Sequence, residues 1–187
     1  MASETSLQYN AIINICRDIF VKKTKDYGTA WRILRIRSIT DQIFIKAQRV
    51  RSVDEKGIKK VDEGVDTEFL GIINYCIIAI IQLNLGEMKN EEAQIEESEL
   101  MDLFDKCIQK SKSLMENKNH DYGEAWRDMR LSSFTDLILM KIMRIKQIED
   151  NKGQTIISEG IESNYLDMLN YAVFAMIHLK YGVVANN

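Results

Sequence analysis

The residues best suited to chemistry come in a stretch written twice. Lys25-Asp26-Tyr27-Gly28-Thr29-Ala30-Trp31-Arg32 returns 95 positions later as His120-Asp121-Tyr122-Gly123-Glu124-Ala125-Trp126-Arg127, and the two stretches hold both tryptophans of the chain. A tyrosine and a tryptophan can sandwich a flat base. Arginines one and several positions on (Arg32, Arg35 and Arg37; Arg127 and Arg130) can hold phosphate oxygens through their fixed fork of donors. The same residues also suit a purely structural task, in which Tyr27 and Trp31 staple one helix to the next, Asp26 binds free backbone amides near the turn, and the arginines form a solvated face. The register extends further. Arg35, Ser38, Thr40, Asp41, Lys46 and Arg49 return as Arg130, Ser133, Thr135, Asp136, Lys141 and Arg144. After one inserted residue, Asn74-Tyr75 matches Asn170-Tyr171.

A second set of candidates is acidic. Glu159, Glu162 and Asp167 from one helix, with Asp136 reaching across from another, supply the carboxylate oxygens that a hard cation such as Mg²⁺ prefers, and such a cation bridges to phosphates. The competing arrangement is a buried polar network, with Asp167 paired to Arg144 or Lys141 and Asn170 capping a backbone group. Asp167, Asn170 and His178 share one side of their helix, within about 80°. The first copy reads Gly71, Asn74 and Gln82 at those positions, so only the second carries the carboxylate. His178 reads as a satisfied core histidine and His120 as a solvated one. No histidine–cysteine spacing suggests zinc, and there is no glycine-rich phosphate loop or nucleophile elbow.

Helices must position these groups. The 187 residues contain no proline, and 45% are apolar, a composition that favours long uninterrupted helices. Apolar spacing predicts a first helix from Glu4 to Lys25, a second from Ala30 or Trp31 to Val53, and a third from Val65 to Leu85. The second half repeats this order over 98–118, 125–148 and 160–181. No segment shows the alternation of a strand. Two three-helix units that cannot cover their apolar third helices alone should pack about a pseudo-two-fold axis into one all-α bundle. Their spans are 1–86 and 100–187, joined by an acidic linker at 87–99.

Charge is uneven. Residues 1–86 carry 13 basic and 10 acidic side chains, and residues 87–187 carry 12 and 18. That is no footprint of a dedicated nucleic-acid binder. Cys16, Cys76 and Cys107 read as reduced thiols rather than a disulfide framework. The start of the chain lacks the pattern of a signal peptide, and Phe69–Leu85 contains Asn74, Gln82 and Asn84, which suits a buried core helix better than a membrane span. A cytoplasmic protein without membrane attachment is expected.

The set Lys-x-x-Asp-Tyr-Gly-x-x-Trp, Asp-x4-Lys-x2-Arg and Glu-x2-Asp/Glu-x7-Asn-Tyr resembles the family called nucleotide modification associated domain 1, in tandem. The resemblance implies association with systems that handle modified nucleotides. The layout is also similar to all-α nucleoside triphosphate pyrophosphohydrolases of the MazG and dimeric dUTPase kind, which hold Mg²⁺ with an E-x-x-E pair on one helix and an E-x-x-D pair on the next. Here Ser133-x-x-Asp136 stands at the first pair, and Glu162 and Asp167 are five apart.

These resemblances imply binding of a nucleotide or deoxynucleotide phosphate, with Mg²⁺-dependent pyrophosphohydrolysis as its catalytic form, and the apolar helix surface that remains is expected to make a homodimer. Asp136, Glu159, Glu162 and Asp167 would hold the metal, and Lys141, Arg144, Arg127 and Arg130 would neutralise phosphate. Tyr122 and Trp126 would flank the base near Asn170. Tyr27, Trp31, Arg32, Arg35, Lys46 and Arg49 would serve in the first copy. The alternative is a non-catalytic helical module for protein partners or a small ligand.

Overall fold

A computed structural model describes residues 3–57, 64–86, 88, 94–154 and 160–182. Six α-helices run in the order α1 (Glu4–Tyr27), α2 (Ile36–Lys56), α3 (Val65–Leu85), α4 (Glu97–Tyr122), α5 (Leu131–Asp150) and α6 (Ile161–Tyr181), with no strand among the described residues. The protein is an all-α bundle of two tandem three-helix units.

Helices α3 and α6 pack on each other at the centre, each flanked by the second helix of its own unit. Their apolar content explains this: Phe69, Ile72, Ile73, Ile77, Met168, Leu169, Val173 and Ile177 have no exposed surface, and one continuous core spans both units. By length and composition α3 could cross a membrane, but in the bundle much of its surface is covered. The outer helices exchange across the pseudo-two-fold. Arg17 of α1 meets Asp105 of α4 at 3.2 Å, while Tyr9 near the start of α1 donates to Asn170 of α6 at 3.0 Å. Helices α2 and α5 run antiparallel, with Lys146 on Asp41 at 2.8 Å.

The second helix of each unit starts later than its apolar spacing predicts. Residues Ala30–Ile33 and Ala125–Asp128 form short 3-10 turns, and Leu34–Arg35 and Met129–Arg130 are extended before α2 and α5 begin. The cause lies across the fold. Gln82 of α3 donates to the carbonyls of Arg32 at 3.1 Å and Leu34 at 2.9 Å, so the last turn of one helix holds the break open. In the second unit His178 stands in place of Gln82, its Nε2 3.2 Å from the carbonyl of Trp126. An unpaired buried carbonyl is costly, and these side chains remove that cost. Arg32 is therefore not part of the face of α2. It is buried against Gln82 and donates to the carbonyl of Gly86 at 3.0 Å, capping the end of α3.

Burial holds the His178 imidazole below its ordinary pKa. A histidine lowered in the fold takes up its proton more readily when unfolded. Stability is therefore complete above the unfolded value near 6.5 and declines as pH falls below it. His178→Gln, which installs the residue of the first unit, should flatten the fall in melting temperature between pH 7.5 and 5.5. An unchanged slope in the variant would assign that pH dependence elsewhere.

Candidate functional site

Gly28 ends α1 with φ +58°, and the first turn folds under it. Gln94, just before α4, crosses the turn: its Oε1 accepts from the Thr29 amide at 2.9 Å and the Thr29 hydroxyl at 3.0 Å. A Cβ on Gly28 would sit 2.6 Å from that oxygen, so the glycine meets both a left-handed backbone and a close approach.

Behind this turn lies a cavity of about 430 Å³, walled by the second half of α1, the 3-10 turn, α2 and α3. Trp31 and Tyr75 are half-buried in its wall, and Tyr27, 70% exposed, stands at its mouth. Two cations face it. Lys46 is held at 3.3 Å by Glu68 and lies 5.9 Å from the centre of the Tyr75 ring. Lys23 is exposed at the opposite wall and makes no hydrogen bond or ion pair with a described residue. Arg49 pairs with the buried Glu68 behind Lys46. No carboxylate is among the described residues that line the cavity.

The equivalent place in the second unit is filled. Asp167, 5% exposed, receives Lys118 on one oxygen and Lys141 on the other, each at 2.6 Å. Phe174 stacks on Trp126 with ring centres 4.2 Å apart and planes 4° from parallel, and the Arg127 guanidinium covers the indole at 4.5 Å. In the first unit Gly71 stands for Asp167 and Ile78 for Phe174. The stem of Lys46 lies across Gly71, where an added Cβ would approach its Cε to 2.8 Å.

The units therefore balance charge differently. Each keeps a buried carboxylate against the shared lysine of its second helix, joined by Arg49 in the first unit and by Lys118 of α4 in the second, but the acid has moved one turn along the third helix. It is Glu68 in the first unit, where the second has Asn164, and Asp167 in the second, where the first has Gly71. The sequence reading missed Glu68. The signal was available once the duplicated register was followed through the third helices.

The carboxylates expected to gather on a metal lie apart. Asp167 belongs to the lysine pair. Asp136 is exposed and lines a separate groove with Thr135 and Val50, and Glu162 is held by Lys110 at 2.7 Å. Glu159 lies outside the described residues, and among those described no three Asp, Glu, His or Cys side chains converge. Asp136, Glu162 and Asp167 are thus not assembled around one cation.

Trp126 is 6% exposed beneath Phe174, whereas Tyr122 is 73% exposed. Arg127 donates to Glu124 at 2.7 Å and Gln8 at 3.1 Å. Burial opposes ionisation of Glu124, but hydrogen bonds from Arg127 and Thr5 prevail and hold its carboxyl below the usual range. Arg35, Arg130 and Arg144 are exposed.

Asn170 is engaged at both ends: its oxygen accepts from Tyr9 and Ser111, and its amide donates to the Ser111 carbonyl at 3.1 Å. Its counterpart Asn74 donates to the Cys16 carbonyl at 3.4 Å, but its oxygen has no partner among the described residues, because Cys16 and Phe104 stand where Ser111 and Tyr9 stand.

Residues 23–83 and 118–179 each match the family model described as nucleotide modification associated domain 1, the two matches opening on the equivalent lysines Lys23 and Lys118. No curated protein and no solved structure matches the chain.

Proposed function

We propose, from the premise that this chain belongs to the nucleotide modification associated domain 1 family in two tandem copies, that it binds a nucleotide-type small molecule in the cavity of its first unit. The observation that carries this reading is the cavity beside Gly71, where Lys23 and Lys46 face open space without a lining carboxylate among the described residues. Two ammonium groups on a partly enclosed wall attract a phosphate, and a lysine without an ion pair gives up no existing partner to bind one. The rest of the lining is apolar and aromatic, and 430 Å³ falls within the range of small-molecule sites. Trp31 lines the cavity as a stacking partner for a base, and Ile78 leaves it without the ring that covers Trp126. Tyr27 and Tyr75 border the same space.

Thermal unfolding against nucleoside mono-, di- and triphosphates, each with and without Mg²⁺, tests the reading. A ligand at 100 times its Kd stabilises by about 2.7 kcal/mol, a rise of roughly 5–10 °C for a chain of this size. Trp31→Ala should remove most of the rise. A flat response across the panel would transfer the case to a helical interaction module. A rise that needs Mg²⁺ would instead favour the hydrolytic form of the proposal.

A further inference from the structure

The lining of the open cavity has a counterpart, residue by residue, in the second unit: Lys23 and Lys118, Trp31 and Trp126, Lys46 and Lys141, Asn74 and Asn170, Tyr75 and Tyr171. Six of the fifteen lining positions differ, four of them by exchange of one side chain for another (Ile19 and Leu114, Phe20 and Met115, Thr24 and Asn119, Thr67 and Ser163), whereas Gly71 against Asp167 adds a carboxylate and Ile78 against Phe174 adds a ring. What those two side chains do is informative. The Asp167 carboxylate is shared between two ammonium groups, one oxygen to each at 2.6 Å, as a bound anion would be. The Phe174 ring lies parallel to the Trp126 indole at 4.2 Å, as a bound planar ring would.

We infer that the second unit is the same binding site closed by its own side chains, Asp167 standing for the anion of the ligand and Phe174 for its ring. Resting on the reading above, the chain then takes one ligand, in the first unit, with a flat ring on Trp31 and an anionic group between Lys23 and Lys46. The class of ligand follows from the charge. In the closed copy a single carboxylate engages both lysines, and among the described residues Lys23 and Lys46 are the cations lining the open cavity. One terminal phosphate satisfies them, and the further charges of a di- or triphosphate find no additional lining cation among the described residues. The ligand is a nucleoside monophosphate.

The test uses the two tryptophans, one in each site. Their indole N–H signals in a ¹H–¹⁵N spectrum are assigned with Trp31→Phe, and the four common nucleoside 5′-monophosphates are titrated in, with the matching triphosphates as comparators. In the wild-type chain the Trp31 signal should move and the Trp126 signal should not, at one ligand per chain. The triphosphate should bind at least tenfold more weakly. The triple variant Asn164→Glu, Asp167→Gly, Phe174→Ile gives the second unit the first unit's residues at these positions, including a relocated acid for Lys141. In it both signals should move, at two ligands per chain.

A folded triple variant in which Trp31 responds and Trp126 does not would overturn the inference and leave the binding reading intact. If Trp31 responds to no nucleotide in the wild type, the binding reading fails. Acrylamide quenching of Trp126 in the Trp31→Phe background then decides the closure alone, a rise on opening supporting it and no rise overturning it. Should the triple variant not fold, Phe174→Ile with the ion pair retained takes its place. Trp126 should then become accessible to acrylamide without binding monophosphate, and monophosphate binding there would overturn the role given to Asp167.

Discussion

Asp167→Ala is expected to lower stability by about 3–5 kcal/mol, the usual consequence of removing one partner from a buried ion pair. Lys141 is 9% exposed and is left without its carboxylate, while Lys118, with a side chain 47% exposed, can turn to solvent. That relief puts the expectation near the lower end, a fall in melting temperature of roughly 6–12 °C. The first unit supplies the remedy. There the acid sits at Glu68, in contact with Lys46 and Arg49, and the equivalent residue of the second unit is Asn164. Adding Asn164→Glu to Asp167→Ala should restore much of the loss. Asn164→Glu in the wild-type chain should destabilise, because it places two carboxylates one turn apart on the same buried face. Urea denaturation of the four proteins closes a double-mutant cycle with a large favourable coupling in the double variant. Additivity within about 0.5 kcal/mol would mean that the two positions do not share a charge, and the account of the relocated acid would fail.

That exchange also marks where sequence reasoning reached and where it stopped. The six helices were legible because apolar spacing over 20 residues, without proline, leaves few alternatives, and α3 and α6 could only be central. The breaks at Leu34–Arg35 and Met129–Arg130 were not legible. Neither stretch carries a glycine or proline, and the side chains that hold the breaks, Gln82 and His178, come from helices about 50 residues further on.

The candidate site followed the same division. Reading for carboxylates led to Asp167 and the second unit, because a metal or phosphate site is sought where charged groups accumulate. The cavity depends on what the first unit lacks, a side chain at Gly71 and a ring at Ile78, and a missing group acquires meaning only against its counterpart in space. Of the aromatic residues expected to sandwich a base, Trp31 and Tyr27 line open space, whereas Trp126 is covered by Phe174 and Arg127. One repeated motif thus serves two roles, and the difference lies some 45 residues away on the third helix.

Gly71→Asp should therefore close the first site by the means the second unit uses. The new carboxylate would enter between Lys23 and Lys46. The Cβ that carries it would stand 2.8 Å from the Cε of Lys46 as that side chain now lies, so the lysine stem has to move aside. That movement is inexpensive for a flexible side chain, and Lys141 already accommodates Asp167 at the matching position. The fold should be retained, with little change in melting temperature in the absence of ligand, because replacing a mid-helix glycine recovers a few tenths of a kcal/mol of backbone entropy against the cost of the shift. Binding should suffer severely. An anion would meet a carboxylate where it now meets two ammonium groups, a change worth about 2–5 kcal/mol, or roughly 30-fold to several thousandfold in Kd. Gly71→Ala separates charge from bulk: it adds the Cβ without the carboxylate and should weaken the monophosphate by much less than Gly71→Asp. Calorimetric titration of the three proteins decides the matter. Equal affinity in wild type and Gly71→Asp would remove the cavity from the binding of any anion, and an equal loss in both variants would reduce the effect to shape.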